Sequence, residues 1–226
     1  MALRLLTWQT VSSFFPRAFR PESVRRAFHR RVRLRSHDAI VAIARGVFAG
    51  NGRLVFGGHP TITPLVLMVA SEAEYGRRAA ETTEDAHLVV VYQSRLFAPL
   101  VTDETLALER LGRGTIRWTD AVAGESPTGD LRHLRSLDLM RRTMVEETQP
   151  VAAFFVGGME GVVDELELVR ALLPTIPAFP LGAAGGAAGT LAAQGDLPET
   201  LSARLRGSHR YPAVVHEALS LVSGRL

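Results

Sequence analysis

Residues 151–161 have the sequence VAAFFVGGMEG, an apolar run that ends in a glycine pair. A short run without polar positions is typical of a parallel strand that helices cover on both faces. Glu160 to Leu173 then has apolar residues at helical spacing, and the glycines suit a tight turn between the two elements. The stretch therefore predicts a strand, a turn and a helix in direct succession.

The same succession occurs earlier in the chain. Leu54 to Phe56 predicts a strand, Gly57-Gly58-His59-Pro60 a turn, and Thr61 to Ala70 a helix that tolerates Pro64 in its first turn. Further strands are predicted over Leu5–Ser12, His87–Tyr92, Thr115–Thr119 and Ile176–Leu181. Further helices are predicted from a capping Asp38 to the stop at Gly50-Asn51-Gly52, over Leu134–Glu147, from near Ala187, and over Ala213–Val222.

Strands that alternate with helices require crossover connections, so the predicted fold is an α/β, Rossmann-like, doubly wound and mainly parallel sheet with helices on both faces. A chain of 226 residues with 46% hydrophobic content suits a single domain over residues 1–226. Ligands of such sheets bind beyond the carboxyl ends of the strands. Five pairs follow predicted strands and are expected to meet at that edge: Ser12-Ser13, Gly57-Gly58, Gln93-Ser94, Gly157-Gly158 and Gly185-Gly186.

The charge pattern of the chain is unusual because it has no lysine. All 26 basic residues are arginine, which explains a pI of about 10.1 at a formal net charge of only +3. Eight of them lie between Arg17 and Arg35 with Glu22 as the single acid. Such a block predicts either a phosphate-binding arm or a solvated, mobile segment, and it supports DNA binding as a third hypothesis for the function.

Several classes of function are excluded or not expected. The chain has no cysteine, so it has no disulfide, no thiolate nucleophile and no cysteine-based metal centre. No His/Asp/Glu spacing suggests a metal site, and no cofactor is predicted. The apolar runs are too short for a membrane span, and residues 1–11 lack a signal-peptide cleavage site, so a cytoplasmic protein without membrane contact is expected.

The glycine pairs indicate the chemistry of the ligand. A glycine pair at the start of a helix lets backbone N–H groups approach an anion, and the helix dipole adds partial positive charge there. The alternative is that the glycines only meet the backbone geometry of a tight turn. The chain has neither the G-K-[ST] of a Walker loop nor a clean G-x-G-x-x-G fingerprint. A phosphate-bearing, nucleotide-type small molecule is the predicted ligand.

Residues 157–166, GGMEGVVDEL, resemble the G-G-x-G-T-x-x-E-L signature of the lonely-guy (LOG) phosphoribohydrolases, with one residue inserted before the third glycine. Arg141-Arg142 stands sixteen residues before Gly157, similar to the Arg-Lys pair of that family. LVFGG at 54–58 resembles its first phosphate turn. The resemblance covers about residues 38–190.

The chain is more similar still to the wider SLOG superfamily, which joins the LOG enzymes, the DNA-processing protein of transformation and sensor domains of bacterial conflict systems. GGHPTITPLV at 57–66 and VYQS at 91–94 look like the branch found beside TIR, sirtuin-type and NTPase partners. This resemblance implies binding of nucleotide-derived signals of the cyclic ADP-ribose kind, often in a homo-oligomer. Val162, Arg142 and His59 replace the LOG threonine, lysine and third turn glycine, which favours binding over hydrolysis.

By this resemblance Arg141 contacts a ligand phosphate or, in an enzyme, assists at the ribose. Glu165 holds ribose hydroxyls or stabilises an oxocarbenium-like centre. The alternatives are a surface arginine and an acid favourably placed near a helix N-terminus. The complete set of candidate ligand-binding residues is Ser12, Ser13, Gly57, Gly58, His59, Thr61, Thr63, Gln93, Ser94, Arg141, Gly157, Gly158, Met159, Glu160, Gly161, Glu165, Gly185 and Gly186.

The candidate residues support two hypotheses on function, which rank before DNA binding. The leading one is a non-catalytic sensor of an ADP-ribose-type signal in a bacterial defence or signalling system, working with a separate effector protein. The second is a phosphoribohydrolase or N-glycosidase that acts on nucleotides, with Arg141 and Glu165 as catalytic residues. Phe14 and Phe97 are candidates for stacking on a base, or else core or interface aromatics.

Overall fold

The computed structural model describes residues 4–8, 22–75, 87–127, 134–158, 160–192 and 197–224. The strands are β1 (Arg4–Trp8), β2 (Arg53–Gly57), β3 (Val89–Ser94), β4 (Gly114–Thr119), β5 (Ala152–Val156) and β6 (Ala178–Leu181). The α-helices are α1 (Glu22–Ala49), α2 (Thr63–Tyr75), α3 (Asp103–Arg110), α4 (Arg135–Thr148), α5 (Glu160–Leu172), α6 (Ala187–Leu191), α7 (Glu199–Gly207) and α8 (Tyr211–Ser223). Short 3-10 helices cover Arg95–Leu100 and Gly182–Ala184.

All strands run parallel, in the order β4-β3-β2-β1-β5-β6. From β1 the chain moves outward strand by strand to β4, and it then returns across the sheet to place β5 on the other side of β1. The strand order therefore reverses beside β1, which is where doubly wound sheets open a ligand crevice. The predicted Rossmann-like α/β fold is confirmed.

Each strand contributes side chains to two separate hydrophobic layers. Leu54 and Phe56 of β2 face the layer that contains α1, α2 and α8, whereas Val55 between them faces α4 and α5. Alternate strand residues point to opposite faces, so an apolar run without polar positions is buried on both sides. Phe154 and Phe155 of β5 divide between the two layers in the same way.

The predicted start of the first helix is wrong. α1 begins at Glu22, well before Asp38, which therefore lies inside the helix and does not cap it. Residues 22–37 contain no glycine or proline, and arginine is a good helix former, so the helix continues through most of the arginine-rich segment. Arg17 and Arg20 lie outside the described residues.

Helices α3 and α7 and the 3-10 helix after β3 were not predicted. The N-terminus of α3 carries a local signal, because the Thr102 hydroxyl accepts a hydrogen bond from the Thr105 N–H and two acidic residues follow in the first turn. In the part of the chain that the structure describes, no helix is both long and apolar enough to cross a membrane.

Candidate functional site

A cavity of about 310 Å³ opens at the carboxyl ends of β2 and β3. Gly57 and Gly58 lie on one side of it, and Phe97 of the 3-10 helix after β3 lies on another. Leu137 and Met140 of α4 complete much of the apolar wall. The size and the apolar lining are typical of a small-molecule site, in which a few polar groups orient the ligand.

The charged groups of the cavity form a buried ion pair between α4 and α5. Arg141 Nη2 lies 2.7 Å from Glu165 Oε1, and only 6% of Arg141 and 4% of Glu165 is exposed. Arg141 Nη1 also lies 3.7 Å from Asp138 Oδ1 on the exposed side of the pair. Arg141 is therefore not a surface residue, and Glu165 is not an ordinary exposed acid of a helix N-terminus.

The burial of Glu165 follows from its position on α5. Val162, Glu165, Leu166 and Val169 recur at helical spacing and all four are buried, the three apolar ones in the layer that packs on the sheet. A charge on this face needs a partner, because an unpaired carboxylate in an apolar layer is strongly unfavourable. Arg141 on the neighbouring helix supplies that partner.

The turn after β2 is held by the side chains of three residues that were predicted to bind ligand. His59 Nδ1 accepts a hydrogen bond from the Thr61 N–H at 3.2 Å and lies 2.9 Å from the Thr61 hydroxyl. The Thr63 hydroxyl is buried and donates to the His59 carbonyl at 2.9 Å. His59 lines the cavity, whereas Thr61 and Thr63 shape the turn beneath it.

The two polar residues that end β3 have different surroundings. Ser94 is fully buried, and its hydroxyl accepts a hydrogen bond from the Leu96 N–H at 3.3 Å, which caps the 3-10 helix. Gln93 lines the cavity, and its Oε1 lies close to where a β-carbon at position 58 would be. The fold therefore places Gln93, but not Ser94, in the wall of the cavity.

The glycine turns after β5 and β6 are joined by hydrogen bonds. The Ala187 N–H donates to the Gly158 carbonyl and the Ala188 N–H to the Gly157 carbonyl, each at 3.0 Å. The first N–H groups of α6 are thus used within the protein, next to Gly185-Gly186. None of these four glycines lines the cavity, and a ligand role for them stays a prediction.

Some predicted residues cannot be placed in the site. Ser12, Ser13, Phe14 and Met159 lie outside the described residues, and only the backbone of Glu160 is described. Gly161 lies in the first turn of α5.

Sequence reasoning missed the part of the cavity wall that comes from α3, from α4, from the segment between β3 and α3, and from the loop after β4. These residues are Leu100, Val101, Thr102, Thr105, Pro127, Leu137 and Met140. The loops after β3 and β4 leave the same edge of the sheet as the predicted turns, and this rule would have pointed to them.

Glu125 fixes the loop that carries Pro127 to the start of α4. Its carboxylate accepts hydrogen bonds from the Arg135 N–H at 2.8 Å, the Ser136 N–H at 3.0 Å and the Ser136 hydroxyl at 2.6 Å. The Ser136 hydroxyl is the largest cause that places the pKa of Glu125 below its ordinary value of 4.5. The charged carboxylate is the form that stabilises this loop.

We expect Glu125→Gln to lower the free energy of unfolding at neutral pH and to have little effect in acid. A carboxyl group with a lowered pKa in the folded state contributes stability above its unfolded pKa and loses it as the pH falls through the folded value. Urea unfolding of wild type and variant across the acid range measures this difference. Glu167→Gln, at an exposed position of α5, is the control, and a wild-type advantage over Glu125→Gln that is constant with pH would contradict the prediction.

The strand order defines a doubly wound α/β fold, with a cavity at the carboxyl edge where folds of this kind bind ligands. The chain belongs to the SLOG cluster3 family, whose family model matches residues 33–219. This membership supports a nucleotide-related ligand-binding or sensing role. No curated protein matches the chain.

Within the described ranges, no three or more His, Asp or Glu side chains come together in a way that could hold a metal ion. The expectation that the protein uses no cofactor stays a prediction.

Proposed function

We propose that the protein binds a phosphate-bearing, nucleotide-derived small molecule, of the ADP-ribose type, and acts as a sensor of it. The observation that carries the proposal is the buried Arg141–Glu165 pair at the end of an apolar cavity. A buried pair of this kind is weak evidence for a purely stabilising role, because apolar residues of similar volume often stabilise equally well.

The Arg141–Glu165 pair has the hydrogen-bonding groups that would bind a ribose. The Glu165 carboxylate is an acceptor for ribose hydroxyls, and Arg141 Nε has no hydrogen-bond partner among the described residues. A buried donor without a partner is unfavourable in the protein alone, and an oxygen of a ligand would satisfy it. The phosphate would then lie toward Gly157-Gly158, at the N-terminus of α5, where the helix dipole favours negative charge.

The first test is the identification of small molecules that stay bound through purification, by mass spectrometry, followed by calorimetry. Titrations with ADP-ribose and the four common nucleoside monophosphates should reveal at least one ligand. Glu165→Gln should weaken its binding by about tenfold or more, because a hydrogen bond to a charged acceptor contributes roughly 1.5–3 kcal/mol. Glu167→Gln should leave the affinity unchanged, and failure of the whole panel to bind wild type would contradict the proposal.

Hydrolysis of a nucleotide N-glycosidic bond is the second candidate function. The Glu165 carboxylate in the cavity favours it, since such a group stabilises an oxocarbenium-like centre. The resemblance of residues 157–166 to the LOG signature supports the same reaction. Base release from the nucleotide panel, followed by chromatography and abolished by Glu165→Gln, would establish it, and absence of turnover with every nucleotide would exclude it.

The biological setting is also a proposal. We propose a role in bacterial defence or signalling in the cytoplasm, a homo-oligomeric state and a separate effector protein, on the strength of the resemblance to sensor-type SLOG domains. Light scattering with and without ligand tests the oligomeric state. DNA binding through residues 17–35 stays a third prediction, which requires an affinity that falls steeply with salt and is lost when those arginines are neutralised.

A further inference from the structure

Gln93 is a largely buried polar residue in the wall of the cavity. It is the last residue but one of β3, only 7% of it is exposed, and it lines the cavity. Among the described residues its side-chain amide makes no hydrogen bond, whereas Ser94 beside it does. A polar group in a largely apolar cavity wall is the kind of group that orients a bound ligand by hydrogen bonding, so Gln93 points to a ligand with a hydrogen-bonding edge.

The surroundings of Gln93 suit a neutral, planar group better than a phosphate. Phe97, Leu100 and Met140 are apolar parts of the cavity wall. The guanidinium of Arg141 is already neutralised by Glu165, whose carboxylate would repel an incoming phosphate. A flat heterocycle, in contrast, loses little on leaving water for apolar walls and stacks well on an aromatic ring.

We propose that this cavity takes the nucleobase of the ligand and that Gln93 determines which base is bound. An amide presents a donor and an acceptor side by side, and this pair matches a base edge that offers an adjacent acceptor and donor. Gln93 is thus a specificity-determining residue for the ligand of the proposed function, on which this inference rests. The phosphate is held outside the cavity.

Gly58 is part of the same arrangement. A β-carbon at position 58 would collide with Gln93 Oε1 and lie 3.1 Å from Val91 Cγ1. The Gln93 side chain is flexible at its end, so an alanine here moves the amide more than it moves the fold. Two substitutions of different kinds therefore test the role of one amide group.

The experiment compares base selectivity in the full chain. Calorimetry gives the dissociation constants of the adenosine, guanosine, cytidine and uridine monophosphates for wild type, Gln93→Met and Gly58→Ala. For wild type we expect a spread, defined as the ratio of the highest to the lowest of the four dissociation constants, of about tenfold. This is the effect of one or two hydrogen bonds. In both variants this spread should shrink to about twofold, mainly through weaker binding of the preferred base. Gly207→Ala, where a β-carbon meets nothing within 4 Å, is the control.

Three outcomes of this experiment would overturn the inference. Equal affinities for all four bases in wild type would overturn the inference while leaving nucleotide binding itself in place. An undiminished spread in Gln93→Met, with a melting temperature near that of wild type, would also overturn it. If Gln93→Met does not fold, the spread in Gly58→Ala decides in the same way. If neither ADP-ribose nor any of the four monophosphates binds wild type, the proposed function fails, and this inference with it.

Discussion

Arg141→Met is expected to lower the free energy of unfolding by about 3–5 kcal/mol, because it leaves the Glu165 carboxylate buried without its cationic partner. The two groups lie 2.7 Å apart, and each side chain is almost fully enclosed between α4 and α5. Denaturant unfolding at neutral pH measures the change. The same variant should lose detectable nucleotide binding.

The neighbouring arginine supplies the matched control. Arg142 is about half exposed, and its pair with Glu146 is a surface ion pair, so Arg142→Met should change stability by less than about 1 kcal/mol. The double variant Arg141→Met/Glu165→Met removes both charges and should recover most of the lost stability without recovering binding. A double variant that binds nucleotide like wild type would show that the pair is only structural.

Gly186→Ala is the second substitution with a large expected effect. Gly186 has a φ of 69°, and a β-carbon there would lie 2.5 Å from the Gly158 carbonyl oxygen and 2.6 Å from the Gly157 carbonyl carbon. Both are backbone atoms, so the turns after β5 and β6 must separate and their two hydrogen bonds must lengthen. The conformation alone costs an alanine roughly 1–2 kcal/mol, and we expect a total loss of about 2–4 kcal/mol in urea unfolding.

Gly189→Ala is the control within the same helix. Its β-carbon would meet the Gly182 carbonyl oxygen at 3.6 Å, which is an ordinary contact, and it has helical backbone angles. Alanine is a better helix former than glycine, so this variant should be as stable as wild type or slightly more stable. Equal stabilities of Gly186→Ala and Gly189→Ala would contradict the proposed role of the turn.

The sheet was predictable because its strands are buried on both faces. Leu54–Phe56 and Val151–Val156 have no polar positions, and a parallel sheet between two helical layers hides such runs completely. The start of α1 was not predictable in this way, because arginine is compatible both with a solvated loop and with a helix. Helix α3 was overlooked although Thr102 provides its cap.

For the site, the sequence predicted the edge of the sheet but not which side chains reach the cavity. Gly57, Gly58, His59 and Gln93 lie at or just after the carboxyl ends of β2 and β3, and the structure brings them to one cavity. Arg141 and Glu165 could be predicted as site residues only from the family resemblance, since no local pattern predicts that two helices will bury a charge pair. Thr63 and Ser94 make local hydrogen bonds that are common for Thr and Ser, whereas their burial depends on long-range packing and has no signal in a single sequence.

The position of β1 has a consequence for how the protein is made. Leu5 pairs with Leu54 on one side and with Ala152 on the other, so most of the chain lies between the central strand and its second neighbour. During synthesis one edge of β1 has no partner strand until β5 has left the ribosome. Contacts between residues this far apart along the chain also form slowly. The ligand cavity draws on residues from β2 to α5, so it can be complete only after α5 has been synthesised.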